Sequence, residues 1–165
     1  LDSLRASSIL KNMRTLHIRM KKHSENAMYL SKNFEKDGLR VVYPGLKSHV
    51  GHEVMKKQYN MEYGFGGLLT LDVGSLEKAN ALMELMQKKH LGYLAVSLGF
   101  YKTLFSAPGT STSSEIPMEE QIEMGLSNGI IRFSIGLDDH IDRTYMAMKD
   151  CLIKLDIIKS ISTKV

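Results

Sequence analysis

Between Met13 and Phe34 the apolar and small residues recur at steps of three and four: Met13, Leu16, Met20, His23, Ala27, Leu30 and Phe34. That spacing gathers them on one stripe of a helix. No proline precedes Pro44, and Lys36-Asp37-Gly38 supplies a basic last turn and a glycine stop. The pattern predicts one helix of about 30 residues within 1–36, about 45 Å long. A domain of this size does not need such a length, so the helix is expected to link the chain to another body. Lys11, Arg14, Arg19, Lys21 and Lys22 are expected to form its solvated face.

Beyond residue 37 the periodicity alternates between two and about 3.6. Residues 39–43 (LRVVY) predict a strand closed by Pro44-Gly45, and 49–59 a helix. A strand over 66–73 (GGLLTLDV) opens through glycines, and Ser75 is placed to cap a helix reaching about residue 89. Residues 94–98 predict a short strand, and 100–105 a short helix or extended segment. A small, polar loop covers 106–115. Pro117 starts a helix with Glu119 and Glu120 in its first turn, and Gly125 ends it. The last helix is expected over 138–155, followed by a frayed tail from about 159. Four strands with interspersed helices predict an α+β domain over 37–158, one sheet with helices on one face.

The segment GIIRFSIGLDDHI (129–141) puts a cation inside a strand pattern. Alternation sends Ile131, Phe133 and Ile135 to one face, and Ile130, Arg132 and Ser134 to the other. Arg132 therefore aims at solvent, at an ion-pair partner, or at a ligand that needs a fixed cation. Its residue type alone leaves these alternatives open.

Composition narrows the function classes. With 165 residues, 43% hydrophobic and 24% charged, the chain fits one domain with a real core. A net charge of +4 invites a nucleic-acid reading. However, the basic residues are dispersed along helices, and zero Trp with eleven Met describes packing rather than base stacking. No nucleic-acid partner is expected, and no membrane partner either, since no apolar run approaches about 20 residues. The charged N-terminus does not resemble a signal peptide, and it lacks an initiator methionine, so a piece of a longer protein is expected. Cys151, alone, cannot form an internal disulfide and suits a reducing cytoplasm, where the protein is expected to reside.

Candidate chemistry is sparse. His49 and His52 stand one helical turn apart without a third ligand, so no metal is expected. Cys151 lacks a histidine partner and reads as a buried small hydrophobe. The glycines of GFGG (64–67) lack a phosphate-loop pattern and are expected to permit close backbone approach.

Five stretches taken in order change this picture: YPGLKSHVGHEVMKKQ (43–58), GFGGLLTLDV, AVSLGFYKTL (95–104), SAPGTSTSSEIPMEEQIEMG and GIIRFSIGLDD. Together they resemble the C-terminal domain of the cysteine/methionine-metabolism family of PLP-dependent enzymes, over nearly the whole chain. The family includes methionine gamma-lyase, cystathionine gamma-lyase and cystathionine gamma-synthase. The resemblance implies the small C-terminal domain of a fold-type-I PLP enzyme, with a mainly antiparallel sheet. It implies that Arg132 holds the α-carboxylate of a sulfur amino-acid substrate, with Ser97 of the SLG motif beside it and Val96 and Leu98 flanking. A planar fork of donors on a rigid strand suits that task. Pyridoxal 5'-phosphate would belong to a large domain absent from this chain, since the family's Ser-x-Thr-Lys motif lies upstream. Ser162-Thr163-Lys164 copies a few of those letters after the final helix and is not its counterpart.

No catalytic or cofactor-binding residue is therefore expected here, and the isolated chain is expected to be inactive. Its partners would be its own large domain and the other subunits of a homo-oligomer. The residue before the SLG serine is Val96, as in methionine gamma-lyase, where cystathionine-handling members often carry an acid. GFYK (99–102) and the loop over 106–115 depart from the relatives' usual residues. The implied parent is a carbon–sulfur lyase, with a synthase or sulfhydrylase as alternatives on the same fold. A non-catalytic binding module from a truncated or split gene is the alternative of another class.

Overall fold

Two helices, α1 (Ser3–Met13) and α2 (Leu16–Lys36), stand where one was expected. In this computed structural model, which describes residues 2–110, 115–125 and 127–159, the break falls at Arg14-Thr15. Arg19 holds it: Nε donates to Thr15 Oγ1 at 3.3 Å and Nη2 donates to the Asn12 carbonyl at 2.8 Å. The guanidinium thereby satisfies a carbonyl left open at the end of α1. The step from Met13 to Leu16 keeps helical spacing across the break, so periodicity could not reveal it. Only the second half of the seam is core. His23, Ala27, Leu30 and Phe34 are buried, whereas Met13 is 57% and Leu16 42% exposed, and α1 buries nothing.

Among the described residues the sheet has five strands: β1 (Arg40–Val42), β2 (Leu68–Asp72), β3 (Tyr93–Leu94), β4 (Leu104–Ser106) and β5 (Ile130–Ser134). Their order is β1-β2-β5-β4-β3, antiparallel except for β3–β4. The fifth strand is β4, whose sequence left helix and strand open. The expected strand over 94–98 shrinks to Tyr93–Leu94, because only those two residues find a ladder partner. Residues 111–114 of the expected polar loop, and the tail 160–165 with Ser162-Thr163-Lys164, lie outside the described residues.

The remaining helices are α3 (His52–Gln58), α4 (Leu76–Lys88), α5 (Met118–Glu123) and α6 (Ile141–Lys154). Ser75 caps α4, its Oγ accepting from Lys78 N at 3.2 Å, as its side chain predicts. Helices α2, α4 and α6 bury Leu30, Phe34, Leu82, Met86, Met148 and Cys151 against Leu69, Leu71, Phe105, Ile131, Phe133 and Ile135 of one sheet face. Burial in that core pushes the Cys151 thiol pKa up, which keeps it an inert hydrophobe. Among the described residues no helix is long and apolar enough to cross a membrane.

Helix α6 begins later than its sequence suggests, because α2 holds the chain ahead of it. His23 Nδ1–H donates to the Ile135 carbonyl at 2.5 Å, and Asn26 Nδ2 donates to the Gly136 and Asp138 carbonyls at 3.0 and 2.9 Å. Carbonyls bound this way are lost to helix formation. Burial also lowers the His23 pKa, so the ring is neutral and its Nδ1–H remains a donor to that carbonyl. The exit of β5 is thereby fixed to the helical layer.

A second tie joins α2 to α6. Asp37, the α2 C-cap, accepts from Lys149 Nζ, and from Tyr145 Oη at 2.6 Å. The side chains of Lys149 and Asp37 are only 17% and 8% exposed. The Asp37 bond is the main cause that raises the Lys149 pKa. Asp37→Ala is expected to cost about 1.5–3 kcal/mol, the usual loss for a charged hydrogen bond, read by urea unfolding. A raised lysine pKa gives stability present in full below the unfolded value and lost as pH rises through the folded one. As pH rises into the strongly alkaline range, the wild-type advantage over Asp37→Ala should therefore shrink. A cost below about 0.5 kcal/mol at neutral pH would show the pair to be no more than a surface contact.

Candidate functional site

The face of the sheet opposite the helices carries the candidate chemistry. Arg132 sits mid-way along β5, the central strand, with Thr70 of β2 and Ser106 of β4 as its register partners. Partners in register share a face, so Arg132 lies between two hydroxyl side chains and is half-buried. The alternation read from the sequence holds: Ile131, Phe133 and Ile135 are at most 1% exposed. The other face is more covered than its polarity suggested, since Ile130 and Ser134 are buried too.

What covers it is the segment around residues 97–103. Gly99 N donates to Ser134 Oγ at 3.0 Å, Gly136 N donates to Thr103 Oγ1 at 3.0 Å, and Leu137 N donates to the Tyr101 carbonyl at 2.8 Å. Gly99 has φ of 68°, a left-handed conformation that glycine adopts without strain. A Cβ on Gly136 would lie 2.6 Å from the backbone of Lys102 and Thr103, so only glycine lets the two segments approach. These glycines and hydroxyls set the SLG segment over β5.

The structure brings Arg132 and Ser97 together through the main chain. Arg132 Nη2 donates to the Ser97 carbonyl at 3.5 Å, the outer limit for such a bond. Arg132 Nε is buried without a partner, and among the described residues no carboxylate pairs with the guanidinium. An ion pair with a carboxylate of the described residues, one form of the readings the sequence left open, is thus not made. Val96 and Leu98 flank Ser97 and are 59% and 55% exposed. They sit in a coil rather than on the expected strand. Phe100 and Tyr101 add exposed rings beside them, with centroids 4.5 Å apart. The site is a half-buried cation with a spare donor, beside a segment whose apolar side chains Val96, Leu98, Phe100 and Tyr101 are exposed.

Ser134 and Thr103 anchor this arrangement. Period-two alternation placed Ser134 on the face of Arg132, two residues away, but gave it no role. The contact of Thr103 with Gly136 depends on tertiary structure and left no local signal.

The other sequence candidates are occupied elsewhere. His52 Nδ1–H donates to the Pro44 carbonyl at 2.8 Å and the ring stacks on Phe65, while His49 Nδ1 accepts from Gly51 N at 3.0 Å. A Cβ on Gly64 would meet Ser24 Oγ at 2.2 Å, and one on Gly67 would meet His23 Cβ at 3.0 Å. Gly64 and Gly67 let this segment approach α2, whereas a Cβ on Gly66 would meet nothing and Gly66 instead takes a left-handed φ of 84°.

The profile of the Cys/Met metabolism PLP-dependent enzymes matches residues 1–146. The chain belongs to that family. Methionine gamma-lyase of Arabidopsis thaliana is 37% identical over 141 residues, covering 85% of this chain and 32% of the relative. Cystathionine gamma-lyase of Dictyostelium discoideum is 37% identical over 133 residues, covering 79% of this chain and 33% of the relative. The crystal structure of yeast cystathionine gamma-lyase superposes with a TM-score of 0.80 at 27% identity, covering 88% of this chain and 37% of that one. The chain therefore spans about a third of the length of the family members it matches, and its sheet and helices are those of a small domain in a fold-type-I PLP enzyme.

The described residues fit one part of this family's chemistry and not the other. An unpaired guanidinium with a free Nε suits a carboxylate. A cofactor Schiff base needs a lysine whose pKa is lowered. Lys149, the lysine held between α2 and α6, has its pKa raised by Asp37. The GFGG backbone, turned onto α2, makes no cradle for a phosphate. Neither Lys149 nor the GFGG segment offers what PLP would need.

Proposed function

We propose that this chain is the C-terminal domain of a PLP-dependent carbon–sulfur lyase acting on sulfur amino acids, and that it orients the substrate by its α-carboxylate. The observation that carries this reading is Arg132, a half-buried cation on the central strand with no carboxylate partner among the described residues and one donor unused. Uncompensated buried donors are costly unless a ligand completes them. Arg132 would grip the carboxylate, Ser97 would lie beside it, and Val96 and Leu98 would form the apolar border facing the side chain. Residues 1–36 would lead out of a large domain that holds PLP, the group that supplies the electron sink for the family's chemistry. The exposed half of the seam, Met13, Leu16 and Met20, would pack there or on another subunit of a homo-oligomer.

The apolar rim favours a thioether over a substrate with a distal charge, so the parent reads as methionine gamma-lyase-like. It would release a thiol from the γ carbon and leave a 2-oxo acid and ammonia. The test joins this chain to the upstream large domain of a family relative and assays L-methionine. Thiol, 2-oxo acid and ammonia in equal amounts are expected, with no turnover and no bound PLP in the chain alone. Stoichiometric PLP on the isolated chain, reducible onto one of its lysines, would overturn the division of labour.

A further inference from the structure

Among the described residues three buried side-chain polar atoms have no hydrogen-bond partner: Ser31 Oγ, Ser106 Oγ and Arg132 Nε. Two of them are neighbours. Ser106 ends β4 and stands opposite Arg132 in the antiparallel β4–β5 register, so their Cβ atoms rise from one face at about 5 Å. Their needs are complementary. An arginine Nε–H can only donate and a serine hydroxyl can accept, yet the bond between them is not made. Ser106 is only 5% exposed, which leaves its hydroxyl no recourse to solvent. Of the other hydroxyls nearby, Ser134 is spent on Gly99 N and Thr103 on Gly136 N, while Thr70, across Arg132 on β2, is half-buried rather than sealed from solvent. Buried polar groups are nearly always paired, so two adjacent, matching exceptions call for a reason.

We propose that Ser106 is a positioning residue for Arg132. When a carboxylate binds, Arg132 Nε–H donates to Ser106 Oγ, and this bond turns both Nη groups towards the ligand. The proposal rests on the reading of Arg132 as the carboxylate grip. Nη2 leans on the Ser97 carbonyl at 3.5 Å, a contact weak enough to give up. A fork anchored at its back loses less freedom on binding than one free to swing about its stem. The bond also selects end-on approach through the two Nη groups over side-on approach through Nε. Ser106 touches no reacting atom and acts only through Arg132.

The experiment uses the 165-residue chain, labelled with nitrogen-15, and follows the Arg132 Nε–H signal, assigned by its loss in Arg132→Lys. L-methionine is the probe. Wild type and Ser106→Thr, which keeps the hydroxyl, should show solvent exchange of this proton slowed on binding. Ser106→Ala should bind about tenfold more weakly, as loss of one charge-assisted bond implies, and its Nε–H should stay in fast exchange. Its melting temperature should not fall, because the deleted hydroxyl has no partner in the free chain; a purely structural serine would lower it. Ser106→Ala binding within twofold of wild type, with the proton equally protected, overturns the proposal and leaves the carboxylate reading intact. A wild-type Arg132 signal that ignores methionine overturns both. Should Ser106→Ala fail to fold, the wild type decides alone: a saturated chain whose Nε–H gains no protection overturns the latch.

Discussion

Arg132→Ala in the joined enzyme is expected to lower kcat/KM about a hundredfold for every amino-acid substrate alike, from loss of about 3 kcal/mol of charge-assisted hydrogen bonding. The uniformity is the informative part. The α-carboxylate is common to methionine, homocysteine and cystathionine, so a residue that grips it cannot discriminate among them. The chain should still fold, because among the described residues the guanidinium makes only the 3.5 Å contact with Ser97 and no ion pair with a carboxylate. Arg132→Lys should recover part of the loss at most, since an ammonium is a point charge without the planar fork. Steady-state kinetics on three substrates checks this. A loss under fivefold, or one confined to a single substrate, would assign Arg132 another role.

Val96→Glu should do the opposite: leave the common carboxylate alone and change the ratio between substrates. Val96 precedes Ser97 on the exposed segment above β5. An apolar side chain there receives a thioether without loss, whereas the distal ammonium of cystathionine would find no partner. Supplying a carboxylate adds one charged hydrogen bond, about 1.5–3 kcal/mol, which is roughly ten- to a hundredfold in relative kcat/KM. The shift should sit near the lower figure if Val96 remains as open to water in the whole enzyme as it is here. The measurement is kcat/KM for methionine and cystathionine on wild type and variant. A wild type that already prefers cystathionine tenfold would end the methionine reading while leaving the family assignment untouched.

Both variants act at places the sequence itself marked. The ordered set of YPGL, GG-strand, AVSLG and G-x-IR-x-S-x-G identified the family and pointed to Arg132, Ser97, Val96 and Leu98. Period-two alternation separated Ile131, Phe133 and Ile135 from Arg132 because a strand offers a side chain only two faces. The N-cap of α4 and the buried Cys151 were legible for similar reasons: each depends on neighbours within a turn or on hydrophobicity alone.

Tertiary structure decided the rest. Arg19 splits the N-terminal helix by reaching back to Asn12 and Thr15, and a helical period unbroken across residues 13–16 conceals the cut. The fifth strand exists because Leu104–Ser106 lies between β3 and β5, where a ladder is available. Three residues favour no structure strongly by themselves. Asn26 and His23 delay α6 by taking carbonyls more than a hundred residues away. The sequence determined which residues are candidates for chemistry and which face they take, because motif and alternation are local properties. That Arg132 lacks a carboxylate partner among the described residues, that Ser134 and Thr103 hold the SLG segment above it, and that Ser106 stands opposite with its hydroxyl unused were decided by strand register and packing. Those contacts join positions about 30 residues apart, a distance over which no local pattern carries information.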